Sequence, residues 1–200
     1  MLHLDTYVAY SFEHIRAQWE TNYFGLLACS KGAIPHFRSY KSGTIVNISS
    51  TAGIRGVGGY TQYGGSKFAV EGMSEALASE LAPFNIRVLI VEPGAFRTNF
   101  QVAASGMEVS SAYAGTPADE MPKKITSMHG KQPGDPDKAA EAIVEVVAKQ
   151  GRGNDAGVGT ALRMPLGKDS VQAAYTKMEG WKKDVDSMKH ISEWAVFPDA

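Results

Sequence analysis

Two hundred residues, 44% of them apolar and 20% charged, suit one globular domain with enough mass to bury a real core. A formal net charge of -1 excludes a strong electrostatic pull toward nucleic acid, an anionic membrane or a cationic partner. The start MLHLDTYVAYSFEH has no basic n-region and no apolar h-region, and no apolar run approaches the roughly 20 residues of a membrane span, so a cytoplasmic protein is expected.

Ser11 can cap a helix over 11–37, where Phe12, Ile15, Trp19, Tyr23 and Leu26 follow helical spacing. The single cysteine, Cys29, lies in this apolar stretch and is expected to be a buried structural thiol in a reducing compartment. After a turn at 42–43, the β-branched run TIVNIS at 44–49 reads as a strand buried on both faces. The loop GIRGVGG leads to a second helix over 60–82. IRVLIVEP at 86–93 is another continuous apolar strand, closed by Pro93-Gly94. The irregular segment 95–134 reads as a long excursion, and such excursions in compact domains are usually lids or binding loops. Residues 134–151 form a helix with Asp135 at the N-cap, Pro136 in the first turn and Gly151 at C′. A short strand over 158–164 and a helix capped by Asp169 and running to about residue 190 complete the chain. Alternating helices and strands predict an α/β fold with a parallel sheet.

YGGSK at 63–67 carries the chemistry. Tyr63 and Lys67, four apart on a helix, share a face. An ammonium beside a phenol favours the phenolate, so a lowered tyrosine pKa is expected. Ser50 follows the strand 44–49 at its carboxyl end, where open α/β sheets place ligands. Its hydroxyl can donate to a carbonyl oxygen that Tyr63 protonates or deprotonates. Glu92 and Arg97 flank this place and can bind a substrate carboxylate or assist a proton transfer. His3, His14, His36, His129 and His190 show no metal-ligand spacing, and no metal site is expected.

In the motifs TNYFG (Asn22), IVNISS (Ser50), YGGSK (Tyr63, Lys67) and EPGAFRT (Pro93, Gly94, Thr98), the sequence resembles the short-chain dehydrogenase/reductase family over roughly residues 10 to 100. The later GKQPGDPDKAAEAI and LRMPLGKDS resemble the carboxyl-terminal part of fungal-type members. The resemblance implies a Rossmann-like three-layer fold. It implies Tyr63 as general acid/base, Lys67 as its tuner and the holder of a nicotinamide ribose, Ser50 as the substrate-orienting group, and Asn22 as the anchor of a proton-relaying water. It also implies that the loop at Pro93, Gly94 and Thr98 holds a nicotinamide carboxamide.

The family's TGxxxGxG turn, ribose-reading residue and NNAG strand do not occur in this sequence. Glycines 53, 56, 58 and 59 do not follow the dinucleotide order. Loss of about 20 ligand atoms' contacts, at roughly 0.3 kcal/mol each, weakens cofactor binding by about 10⁴-fold. The Pro93–Thr98 loop would then be vestigial and the parallel sheet truncated. Taking the 200 residues as a whole protein favours an enzyme without a cofactor that performs non-redox acid/base chemistry on a small carbonyl substrate. Enolisation, dehydration or lactone-forming cyclisation of a polyketide-like compound are examples. The alternatives are an NAD(P)H-dependent reductase known through a fragment, and a non-catalytic interaction protein with an idle site. The unpaired edge of strand 44–49 is a liability that residues 1–10 or a second copy must cover. Helices 11–37 and 60–82 resemble those that make the family's main helix-bundle interface, and a homodimer that uses them and also covers the edge is expected.

Overall fold

The computed structural model describes residues 11–100 and 111–197. The first helical stretch has three parts: α1 (Phe12–Trp19), a π-helical turn (Glu20–Phe24) and α2 (Gly25–Tyr40). The Ser11 side chain accepts the His14 N–H and caps α1, as the sequence predicts. Next come β1 (Gly43–Ile48), the single turn α3 (Thr51–Ile54), α4 (Thr61–Leu81) and β2 (Ile86–Pro93). The carboxyl-terminal part holds α5 (Pro117–Ser127), α6 (Pro136–Ala148), β3 (Arg163–Leu166) and α7 (Lys168–Trp194).

The three strands form one parallel sheet in the order β1-β2-β3. β2 is central, and Val88, Leu89, Ile90 and Val91 are essentially inaccessible. Ile34 and Phe37 of α2 and Leu77 and Ala78 of α4 pack with Ile45, Ile86 and Val88 on one face. Val146 of α6, with Ile143 and Val147, packs on Leu89 and Val91 across the other. This is a helix–sheet–helix sandwich, the three-layer α/β architecture that the alternating pattern predicts. The carboxyl ends of β1 and β2 emerge side by side, in register from Gly43↔Ile86 to Ile48↔Val91.

Several expectations need correction. β1 is not buried on both faces: Ile45 and Asn47 are buried, but Ile48 is 44% exposed. Strand β1 pairs only with β2 among the described residues, so its outer edge has no strand beside it. The suggestion that residues 1–10 cover that edge lies outside the described residues. Cys29 is exposed, because Ser30, Ile34 and Phe37 define the inward face of α2 and Cys29 falls off it. The segment 95–134 is not wholly irregular. It contains α5, whose first turn takes Pro117 and whose second Pro is tolerated at Pro122. The last strand starts five residues later than predicted, because Gly157, at φ +84°, opens a 3₁₀ turn over Val158–Thr160. Asp135 does cap α6, but Lys149 rather than Gly151 takes the left-handed position that ends the helix, at φ +54°. Asp169 does not cap α7, whose N-cap is Gly167.

Leu89→Ala should lower stability by about 2–5 kcal/mol, since the vacated space lies between two packed layers and cannot collapse. Chemical denaturation checks this, and a smaller loss would show a mobile sheet.

Candidate functional site

Strand β1 delivers Ser49 and Ser50 to the top of the sheet, and Ser49 N still bonds to Val91 O at 2.7 Å. Ser50 is the N-cap of α3, and its Oγ accepts the Ala52 N–H at 3.1 Å. A side chain in that role cannot rotate freely, so the hydroxyl is fixed in direction. Helix α4 then returns along the sheet and brings Tyr63 to the same place. The Ser50 hydroxyl stands close enough to the Tyr63 phenol to favour its ionised form.

Tyr63 is buried with Ala52 and Ile125, and Tyr60, Phe100 and Met121 pack around it. The Tyr63 ring lies 5.8 Å from Phe100 and 5.9 Å from Tyr60, centroid to centroid. These contacts place α5 and Phe100, both from segment 95–134, against Tyr63. Lys67 Nζ sits 5.8 Å from the centre of the Tyr63 ring and donates to Ile48 O at 2.9 Å. Asn22 lies inside the π-helical turn. It is buried and donates through Nδ2 to Ser66 Oγ at 3.1 Å, while Ser66 donates to Tyr63 O at 2.7 Å. The wider π turn lets α1 and α2 continue while Asn22 points at α4; such turns recur at functional sites.

The electrostatics reverse one expectation. The Tyr63 phenol is pushed up, not down: burial is the largest cause, and the nearby Ser50 hydroxyl opposes it only in part. Lys67 does not lower it, because its ammonium is turned to the Ile48 carbonyl. Burial brings Lys67 down to about 8, and the charge of Glu71 works against that shift. Tyr63 is therefore a neutral proton donor at neutral pH.

The remaining sequence-predicted residues lie around this group. Pro93 O accepts from Thr51 Oγ1 at 3.2 Å, and Gly94 N donates to Leu166 O at 2.9 Å. A Cβ at Gly94 would run into the Asp169 carboxylate, whose Oδ2 accepts the Ala95 N–H at 2.7 Å. Asp169 thus fastens the Pro93–Thr98 loop to the first turn of α7. Thr98 Oγ1 accepts the Phe100 N–H at 3.3 Å. Arg97 is exposed and donates to Gln132 O at 3.1 Å. Glu92 is buried away from solvent. It lies 3.6 Å from Arg163 Nε, which also meets Glu71 at 3.1 Å, while Arg163 Nη2 meets Glu75 at 2.8 Å. Burial first, and then the Glu71 carboxylate, push Glu92 up to about 7.

Sequence reasoning missed Glu71, Arg163, Ser66 and the tether made by Asp169. Glu71 was accessible in principle, since it stands four residues after Lys67 on the same helix. The glycine loop 53–59 is roofed by α5: an added Cβ at Gly58 would meet Pro117, and one at Gly59 would meet Met121. Among the described residues, no glycine-rich turn between a strand and a helix N-terminus offers a pyrophosphate cradle. The residues present fit the nicotinamide end of a dinucleotide, at Lys67 and the Pro93–Thr98 loop. They do not supply the phosphate end.

A family model described as short chain dehydrogenase matches residues 4–108. The chain belongs to the short-chain dehydrogenase family. Oxidoreductase claN of Passalora fulva is 48% identical over 119 residues, covering 60% of this chain and 55% of that protein. Oxidoreductase calM of Penicillium decumbens is 32% identical over 183 residues, covering 88% and 58% respectively. The chain thus spans little more than half the length of these curated relatives. The crystal structure of a short-chain dehydrogenase from Streptomyces avermitilis matches with a TM-score of 0.79 and 32% identity, over 98% of this chain and 68% of that one. A Burkholderia cenocepacia short chain dehydrogenase, solved in complex with NADP, shares the fold at a TM-score of 0.62 and 20% identity. No helix among the described residues is long and apolar enough to cross a membrane.

Glu92 gives a pH prediction. Its folded pKa of about 7 lies above the ordinary value of 4.5, so the folded state holds the extra proton between them. The contribution of the neutral carboxyl is full below about 4.5 and is lost as pH rises through about 7. Glu92→Gln keeps a donor toward Glu71 and removes the titration. Above pH 7 the variant should melt higher than the parent, with the gap closing on acidification. Parallel melting curves across that range would disprove the raised titration of Glu92.

Proposed function

We propose that the chain carries the proton-transfer half of a carbonyl oxidoreductase site. The observation that carries this reading is the convergence of Ser50, Tyr63 and Lys67 at the carboxyl end of β1, with the phenol held neutral. Reduction of a ketone creates an alkoxide that needs a proton. Ser50 Oγ–H orients the carbonyl oxygen, and Tyr63 Oη donates to it as negative charge builds. Lys67, half-buried and titrating at about 8, then returns a proton to the Tyr63 side of the site. Asn22 holds Ser66, and through it the helix turn that presents Tyr63. A bound nicotinamide dinucleotide would supply hydride, and Lys67 with the Pro93–Thr98 loop would hold its ribose and carboxamide. α5 and Phe100 form a lid of segment 95–134 that excludes water from the phenol. Glu92 and Arg97 serve the frame of the site more than the substrate, because Arg163, Glu71 and Gln132 occupy them. A homodimer belongs to this proposal.

The second reading, non-redox enolisation or cyclisation, rests on the same Ser50 and Tyr63 hydroxyls, which can polarise a carbonyl and move its proton without a hydride. The two separate in one experiment. The protein is incubated with a ketone panel, with and without NADPH, and followed by cofactor absorbance and by deuterium exchange at the α-carbon. The oxidoreductase reading expects ketone-dependent loss of NADPH. Exchange without cofactor and without NADPH consumption would instead support the second.

Tyr63→Phe should lower either activity by about 10²–10⁴-fold while leaving the melting temperature nearly unchanged, since only one oxygen is removed. Full turnover in the variant would remove Tyr63 from the mechanism.

A further inference from the structure

Helix α4 turns two opposite charges toward the sheet. Lys67 and Glu71 are four apart and share a face. Lys67 reaches the end of β1, and Glu71 reaches β3, where its Oε2 meets Arg163 Nε at 3.1 Å. Glu71 is 6% exposed, and its other oxygen, Oε1, is buried with no hydrogen-bond partner. A plain clip between α4 and β3 does not call for such an atom, since an unpaired buried carboxylate oxygen is costly. Arg163 does not cancel the charge either. Its Nη2 is drawn to Glu75 at 2.8 Å, and Glu92 lies 3.6 Å from its Nε. One guanidinium thus serves three carboxylates, and negative charge is left over one helical turn from Lys67.

We propose that Glu71 is a positioning residue of the site: its carboxylate, anchored by Arg163, keeps the Lys67 ammonium charged. This rests on the reading of Ser50, Tyr63 and Lys67 as a proton-transfer site and adds a residue to it. None of the ion pairs among the described residues involves Lys67, whose ammonium donates to the neutral Ile48 carbonyl. Burial pulls Lys67 down, and Glu71 is the charge that opposes it. The charged form is the useful one. After Tyr63 has given its proton to the alkoxide, a Lys67 N–H bond breaks and the Tyr63 O–H bond forms again. Lys67 is left neutral and takes its next proton from water, while Glu71 stays ionised throughout.

No neighbouring group replaces Glu71. Glu75 stands a further turn along α4 and is exposed. Glu92 of β2 is already ionised above about 7, so it has no charge to add where Lys67 titrates. Arg87 of β2 donates to Val146 O on the opposite face. β1 and α3, which pack on α4, carry no ionisable side chain. Glu13 and Arg16 of α1, Glu20 of the π turn and Arg55 after α3 are exposed. The Tyr63 phenol is neutral, and Asp169 accepts the Ala95 N–H.

The test is the titration of Lys67 in the full chain labelled with ¹³C-lysine, its ε-carbon signal assigned through Lys67→Arg. The parent signal should titrate near 8. In Glu71→Gln the midpoint should fall by about one pH unit, the order a neighbouring buried charge exerts. The alkaline limb of ketone reduction, or of α-carbon exchange, should fall with it. Glu71→Asp keeps the charge and should restore most of the shift. Glu75→Gln removes another contact of Arg163 and should leave midpoint and limb in place. Where Glu71→Gln does not fold, Glu71→Met carries the same expectation. A merely structural part would lower the rate at every pH and leave the midpoint where it was, and an unmoved midpoint in the folded variant overturns the proposal. An equal fall in Glu75→Gln would also overturn it, by assigning the effect to the whole cluster. A midpoint that falls in Glu71→Gln, in a parent that neither reduces nor exchanges any ketone, would uphold Glu71 as the counter-charge and sink only the proton-transfer reading.

Discussion

The burial of β2 is the constraint on which everything else rests. Val88 to Val91 contact helices on both faces, and the strand hydrogen-bonds to neighbours along both edges. No other element is so enclosed. Because β2 cannot shift, β1 and β3 inherit its register. The ends of the strands then fix where Ser50, Pro93 and Leu166 stand. Arg87 extends this frame sideways by donating to Val146 O and Val158 O, each at 3.1 Å. The site is thus built on the rigid end of a sheet, and loops contribute only its walls.

Within that frame the proton chemistry is set by what surrounds each polar group. Tyr63 stands among aromatic and aliphatic neighbours that cannot solvate a phenolate. Lys67 donates its ammonium to a main-chain carbonyl and stays 5.8 Å from the centre of the Tyr63 ring. The result is an acid waiting for a developing anion, with a near-neutral amine behind it. A charged ligand group entering beside Lys67 would compete for that ammonium and change the balance.

Much of this was legible in the sequence, because the signals were local. The apolar run at 86–93, the capping of α1 by Ser11 and of α6 by Asp135, and the i,i+4 pair Tyr63/Lys67 each depend on a few adjacent residues. What was not legible depended on distant partners. The exposure of Cys29 is decided by which face of α2 the sheet takes. Asp169 has the form of a helix cap, yet it spends its carboxylate on Ala95, 74 positions away. The sign of the Tyr63 shift follows from packing by Ile125 and Phe100, which no spacing rule reveals. The π turn at Asn22 likewise reads as ordinary helix, since its sequence carries no breaker.

The Asp169 tether has a mechanical consequence. Helix α7 is an arm of about 40 Å at 1.5 Å per residue. It is pinned at its root by Ser170 to β2 and by Asp169 to the Pro93–Thr98 loop, its first turns pack beside α3, and its side chains from Trp181 on are exposed. Such an arm magnifies motion: a tilt of about 5° at the root sweeps the far end through some 3–4 Å by simple geometry of that length. The reverse also holds. Anything that grips the far end applies torque at a fulcrum next to the substrate side of the sheet. The loop that would seat a ligand is thereby wired to a handle on the molecule's exterior.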